Sequence, residues 1–212
     1  MDYQTPMPYQ QPPMQAHSFV ERVLGALKLE RPIFDEVRRD PSAMTQAALV
    51  IAATGFASGI GAFFGDTSQS FTIDDRTYTL GGSFFTGLIA GAVNIAIALV
   101  AWVVISLIYR FVAMRILNSP ETGIQWQEVA RPIGFASSPS MLALFAAIPV
   151  LGPILSLVGG IWAFATQIVA LSETFRVTKW RAFGIIVVSA ILITAVLSIL
   201  GCICVLAIVA VT

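Results

Sequence analysis

The chain has 212 residues, of which 57% are hydrophobic and only 11% charged, and its twelve basic and twelve acidic side chains cancel. A soluble domain carries about 25% charged residues, so this composition excludes a water-soluble globular fold, and lipid must solvate most of the surface. Zero net charge gives no bulk basic field for nucleic acid.

Residues 1–17 hold four prolines and four glutamines without any packing pattern, which predicts a disordered tail. No clean PxxP array makes it a ligand for a partner groove. It lacks the basic start and apolar core of a secretory signal. At Ser18 the character changes. Ser18 and Glu21 form a capping box, and Val20, Val23, Leu24 and Leu27 then share one helical face. Residues 31–41 predict a second short helix, with Pro32 at its start, Ile33, Phe34 and Val37 apolar, Arg38 and Arg39 near its end, and Pro41 closing it. Residues 18–41 are too charged to span and apolar enough to lie on a bilayer or on the ends of the spans.

Residues 42–212 form the membrane domain. The first span is expected near 44–64 and carries Gly55 and Gly59 four apart; the second, near 84–109, carries Gly87 and Gly91. Small residues at that spacing let helices approach closely in lipid. Between these spans, Phe71, Ile73, Tyr78 and Leu80 alternate around Asp74-Asp75-Arg76, a pattern for a small hairpin. Asp66, Asp74 and Asp75 do not match a calcium-loop spacing. The charge-free stretch 133–172 is 40 residues long, about 60 Å as one helix, enough for two crossings of about 20 residues. It must turn near Pro149, Gly152 and Pro153. That places a third span near 133–149 and a fourth near 153–172, and the fifth falls near 183–207. Ser137-Ser138-Pro139-Ser140 interrupts the third span, because proline removes a backbone donor. Cys202 and Cys204 lie two apart on a helix, facing different directions, as packing residues.

With five spans, eleven of the twelve basic residues fall on one face and only Arg76 on the other. Positive charge stays cytosolic. The expected architecture is therefore an all-α membrane protein with five transmembrane helices, N-terminus cytosolic and C-terminus outside, an amphipathic N-terminal helix, and a small external hairpin between spans one and two.

Candidate chemistry is sparse. The only histidine is His17 in the tail, no HExxH exists, and no acidic pair lies within a span. No catalytic residue, metal ligand or cofactor is expected. Asn94 and Gln167 are the polar groups at membrane depth, suited to interhelical hydrogen bonds. Glu173 is the most informative ionisable residue. It ends the fourth span with Arg176 three residues on and Lys179 beyond, and a pair with Arg131 would lock this face together. Trp126 and Trp180 suit an interfacial belt, while Trp162 lies deeper.

The chain resembles the Yip-domain membrane family. The resemblance covers roughly residues 25–195. It rests on Leu29, Pro32, Phe34, Val37 and Pro41, on Arg131 with Gly134 and Pro139, and on Ile148-Pro149 with Gly152. It continues through Trp162, Ala170-Leu171 with Glu173, and Lys179 with Ala182. It implies a cytosolic N-terminus and a five-helix domain. In eukaryotic members it implies binding of prenylated Rab GTPases in vesicle traffic. The acidic DLYGP-type segment of those members is absent here, so GTPase binding is not carried over. The chain is more similar to the short prokaryotic members, which implies the prokaryotic cytoplasmic membrane. The expected role is a non-catalytic membrane scaffold or adaptor, touching the bilayer and a membrane-protein partner or a second copy; the alternative is a small-solute channel or transporter.

Overall fold

The computed structural model describes residues 17–64, 69–73, 76–80, 84–121, 123–148 and 150–211. Residues 1–16, Asp66, Asp74, Asp75 and Pro149 lie outside this set. Two short helices, α1 (Phe19–Leu27) and α2 (Arg31–Arg39), precede α3 (Ala43–Phe64). Strands β1 (Gln69–Ile73) and β2 (Arg76–Leu80) pair antiparallel, with Gln69 opposite Leu80 and Ile73 opposite Arg76. Then follow α4 (Phe84–Phe111), α5 (Trp126–Ala136), a 3-10 segment (Ser138–Ala147), α6 (Leu151–Thr174) and α7 (Lys179–Val211).

Three helices are long and apolar enough to cross a membrane among the described residues: Gly91–Ile116, Leu151–Thr174 and Lys179–Ile199. Only 17–33% of their apolar windows is buried inside the protein. Their outward faces carry Ile97, Val100, Ile161, Ile191 and Leu197, which need an apolar solvent. The 26-residue apolar stretch of α4 ends in a π-helical turn, Val112–Ile116.

The third expected span needs correction. It is not one α-helix over 133–149. Instead α5 ends at Ala136 and the chain continues as a ten-residue 3-10 segment, long for that geometry. The cause is local. Pro139 offers no N–H and disfavours the α conformation at Ser138, and the Ser137 hydroxyl donates to the Ile133 carbonyl at 3.0 Å. The predicted reversal near Gly152 is present. Gly152 N–H donates to the Ile148 carbonyl at 2.7 Å, and Val150 sits at φ 68°, a strained conformation for a β-branched residue. The 3-10 segment then packs along α6, where an added Cβ on Gly159 would stand 2.8 Å from the Pro139 carbonyl oxygen.

The dense core lies at one end of the bundle. Phe34 and Val37 of α2, Ala43, Ala47 and Val50 of α3, Val129, Ala130 and Phe135 of α5, and Ala170, Leu171 and Phe175 around the end of α6 are fully buried. The α3–α5 crossing is so close that a Cβ on Gly134 would meet Ala47 Cβ at 2.6 Å.

Candidate functional site

The buried end is organised by charge. Helix α1 starts as predicted: Ser18 N–H donates to Glu21 Oε2 at 2.7 Å and the Glu21 N–H reaches Ser18 Oγ at 3.4 Å. It ends on Leu29 at φ 62°, with Glu30 N–H donating to the Gly25 carbonyl at 2.9 Å, the six-to-one bond of a Schellman turn. That turn folds α2 back onto α1. The buried side of α1 is Arg22, Gly25 and Ala26, Phe19 rests its ring on Phe135 with centroids 6.4 Å apart, and Val20 and Leu24 face outward. The predicted apolar face is split: Val20 and Leu24 point outward, Val23 is half-buried against the core, Leu27 is half-buried, and a charge points in beside them.

Arg22 is 1% exposed. Its Nε and Nη2 donate to Glu36 Oε1 at 3.0 and 2.8 Å, Nη2 to Asp40 Oδ2 at 2.5 Å, and Nη1 to Gln46 Oε1 at 2.9 Å. Glu36 and Asp40 are one helical turn apart, so both carboxylates face one guanidinium. His17 completes the cluster. Its N–H donates to Glu36 Oε1 at 3.1 Å, and its Nδ1 lies 2.5 Å from Oε2. His17 is therefore docked, a correction to the reading of residues 1–17 as wholly free tail. Burial alone would raise both carboxyl pKa values. Hydrogen bonds from His17 and Arg22 to Glu36, and from Ser42 and Arg22 to Asp40, outweigh it and hold both below the usual range. For Arg22, burial works against the charged form, and Asp40 and Glu36 more than offset it, raising its pKa.

A second network ties α2 to α5 and α6. Asp35 accepts from Arg39 Nη2 and Arg176 Nη2, both at 2.8 Å. Arg38 Nη1 donates to the Thr174 carbonyl at 3.2 Å, at the negative end of the α6 dipole. Arg131 Nη1 donates to the Arg38 carbonyl at 2.7 Å. Glu173 pairs with Arg31 Nε at 3.4 Å. The expected Glu173–Arg131 pair is thus corrected: each residue has a different partner, both on α2, because α2 lies between them. Arg176 turns away from Glu173 because it takes φ 52° at the end of α6. Lys179 is exposed at the start of α7.

The small-residue expectations divide. A Cβ on Gly55 would come within 3.0 Å of Ala98 Cβ and 3.1 Å of the Asn94 carbonyl oxygen, a true close crossing of α3 on α4. Gly59 is buried. Gly91 meets only the Phe56 ring, at 3.5 Å or more, so it does not set a crossing. Gly87 lies within α4, and its surroundings fall outside the described side chains. Gln167 accepts from Tyr109 Oη at 3.1 Å, the interhelical role expected of it. Trp162 departs from expectation: it is half-exposed, and its Nε1 donates to the Leu27 carbonyl at 2.9 Å, bolting the end of α1 to α6. Trp180 is 83% exposed, as a belt residue should be. Cys202 is exposed on α7 rather than packed, and the side chain of Cys204 falls outside those described.

Sequence reading missed Arg22, Asp35, Glu36, Asp40 and Gln46. The signal was there: two amphipathic helices joined by three residues must form an αα-hairpin, which brings an arginine early in α1 opposite acids late in α2.

No curated protein and no solved structure matches the chain. A family model described as Yip1 domain matches residues 27–201, including the docked α2, the bolt at Trp162 and all three long apolar helices. The chain therefore belongs to the Yip1-domain family and is a multi-pass integral membrane protein.

Proposed function

We propose that the protein is a non-catalytic membrane scaffold or adaptor that works by contact, with five crossings, a cytosolic N-terminus and an external C-terminus. The observation that carries this reading is the α1–α2 hairpin. It buries Arg22 on Glu36 and Asp40 and turns Val20 and Leu24 outward, so one end of the bundle offers an apolar ledge with the exposed Lys28 nearby, a surface suited to a bilayer interface. The lipid bilayer is the first partner, and a membrane protein or a second copy is the other. The bias of basic residues supports placing the hairpin on the cytosolic face, and the affinity to short prokaryotic members supports a cytoplasmic membrane as the site. Prenylated GTPases are not proposed as partners, since the acidic segment of the eukaryotic members is missing.

Two experiments test this. Single cysteines at Ser68 and Thr212 should label from outside, and those at Asn118 and Thr178 should not; the opposite pattern overturns the orientation. Photocrosslinkers at Val20 and Leu24 in intact membranes should capture lipid or a membrane-protein partner. Retention of both side chains in water, with no crosslink, overturns the contact role of the ledge.

A further inference from the structure

Between α3, α4 and the break after α5 lies a cleft of about 240 Å³, bordered by Thr54, Ser58, Asn94, Ser137 and Ser140, with Ile97 at its edge. Thr54 is eleven residues into α3, about 16 Å along the helix from its start and one turn beyond the packed end at Val50. None of the residues lining it is charged. The cleft exists because Gly55 draws α3 and α4 together beside it, while the chain leaves α-helical geometry at Ser137.

Its chemistry has a direction. The Thr54 hydroxyl donates to the Ile51 carbonyl at 2.8 Å, Ser58 to the Thr54 carbonyl at 2.9 Å, and Ser137 to the Ile133 carbonyl at 3.0 Å. A hydroxyl has one proton and two acceptor lone pairs. With the protons committed to their own helices, these three groups offer acceptors to whatever enters. Ser137 also sits at the C-terminal end of α5, where the helix dipole is negative. The three hydroxyls favour a ligand that brings O–H groups to them, and Asn94, whose amide both donates and accepts, borders the same cleft, so a group that does both suits it.

We propose that this cleft binds a small, uncharged polyol of about glycerol size. A charged ligand is disfavoured because neither a carboxylate nor a basic group lines the cleft to compensate it. A partner helix, about 10 Å across, does not fit. The volume is several times the ~30 Å³ that one water occupies in the liquid, more than a single bridging water needs. This site is separate from the charged end, so its failure leaves the contact function standing.

The test is direct binding to the full chain in lipid nanodiscs, read by saturation-transfer NMR with glycerol and xylitol as probes. Thermal stabilisation is not used, because polyols stabilise proteins generally by exclusion from their surfaces. Wild type should give a saturable signal. Thr54→Val and Ser137→Ala, which remove an acceptor at nearly constant shape, should each weaken binding about fivefold. Tyr109→Phe, outside the cleft, should leave it unchanged. Unchanged unfolding of the two cleft variants in the absence of probe separates lost binding from lost fold. If either variant unfolds early, Ser58→Ala at the open edge of the cleft carries the same expectation. A signal that does not saturate, or one that persists undiminished when the hydroxyls are removed, overturns the proposal and leaves a water-filled cleft.

Discussion

Phe34, Val37, Phe135, Leu171 and Phe175 are fully buried at the charged end, whereas Ile97, Val100, Ile191 and Leu197 along the spans are about 60% exposed. Both regions are apolar, yet only the first is packed against itself. In the spans lipid takes the place of a core, and helices are held by close crossings such as Gly55 on α4 and by single hydrogen bonds such as Tyr109 to Gln167. At the charged end water is near, so apolar burial has its usual driving force, and polar groups are consumed pairwise beneath it. The comparison predicts that substitutions of the same chemical size will cost very different amounts in the two places.

The largest effect should come from Arg22. Removing it leaves Glu36 with His17 and Asp40 with Ser42 but takes away the buried guanidinium between them, and breaking a buried pair this way costs about 3–5 kcal/mol. Asp40 keeps some access to solvent, which points to the lower end of that range. Arg22→Leu should sharply lower the unfolding midpoint in detergent, and Glu36→Gln in the same chain should restore part of it. Equal stability of Arg22→Leu and wild type would mean the hairpin is not docked.

Next comes a matched pair of truncations. Phe34→Ala should cost about 3–5 kcal/mol, the usual range for a buried phenylalanine. Val100→Ala on the outer face of α4 should cost well under 1 kcal/mol, since lipid fills the place of the lost methyls. Denaturant unfolding of both variants checks this, and similar losses would erase the distinction between the two regions.

The pH response belongs to the charged end alone. Glu36 and Asp40 titrate below the ordinary carboxylate range because of their partners. A depressed folded pKa gives stability that is fully present above the unfolded value of about 4 and is lost as pH falls through the folded value. Melting temperature should therefore be flat near neutrality and fall below about pH 4. Glu36→Gln should flatten that decline, while a change within the spans should not.

The local signals were legible in the sequence because they depend on neighbours in the chain. The Ser18–Glu21 box, the break at Pro139 and the reversal before Gly152 are short-range, and all three formed. Gly55 was readable from its spacing, but Gly91 carries the same spacing and packs loosely, because the pattern does not say which face meets a partner. Charge pairing was least legible. Arg22 lies off the apolar face that Val20, Val23, Leu24 and Leu27 define, and only the hairpin geometry places it under Glu36 and Asp40. The tight approach of Gly134 to Ala47 also had a signal, since Ala130, Gly134 and Ser138 stand four apart and face Ala43 and Ala47 at the same spacing, but a reading that weighed only glycine pairs passed over it.

At the charged end the smallest effect should come from Glu173, which sits at its rim. Its partner Arg31 is 60% exposed. Exposed pairs contribute about 0–1 kcal/mol, because water competes for both ions and two long side chains must be held in place. A double-mutant cycle on Glu173 and Arg31 should give a coupling below about 1 kcal/mol, and one on Glu173 and Arg131 should give none. Arg131 spends its guanidinium on the Arg38 carbonyl instead, so Arg131→Ala should loosen α2 from α5 whether or not Glu173 is present. Strong coupling of Glu173 to Arg131 would mean that α2 does not lie between them, and the docked hairpin would have to be redrawn.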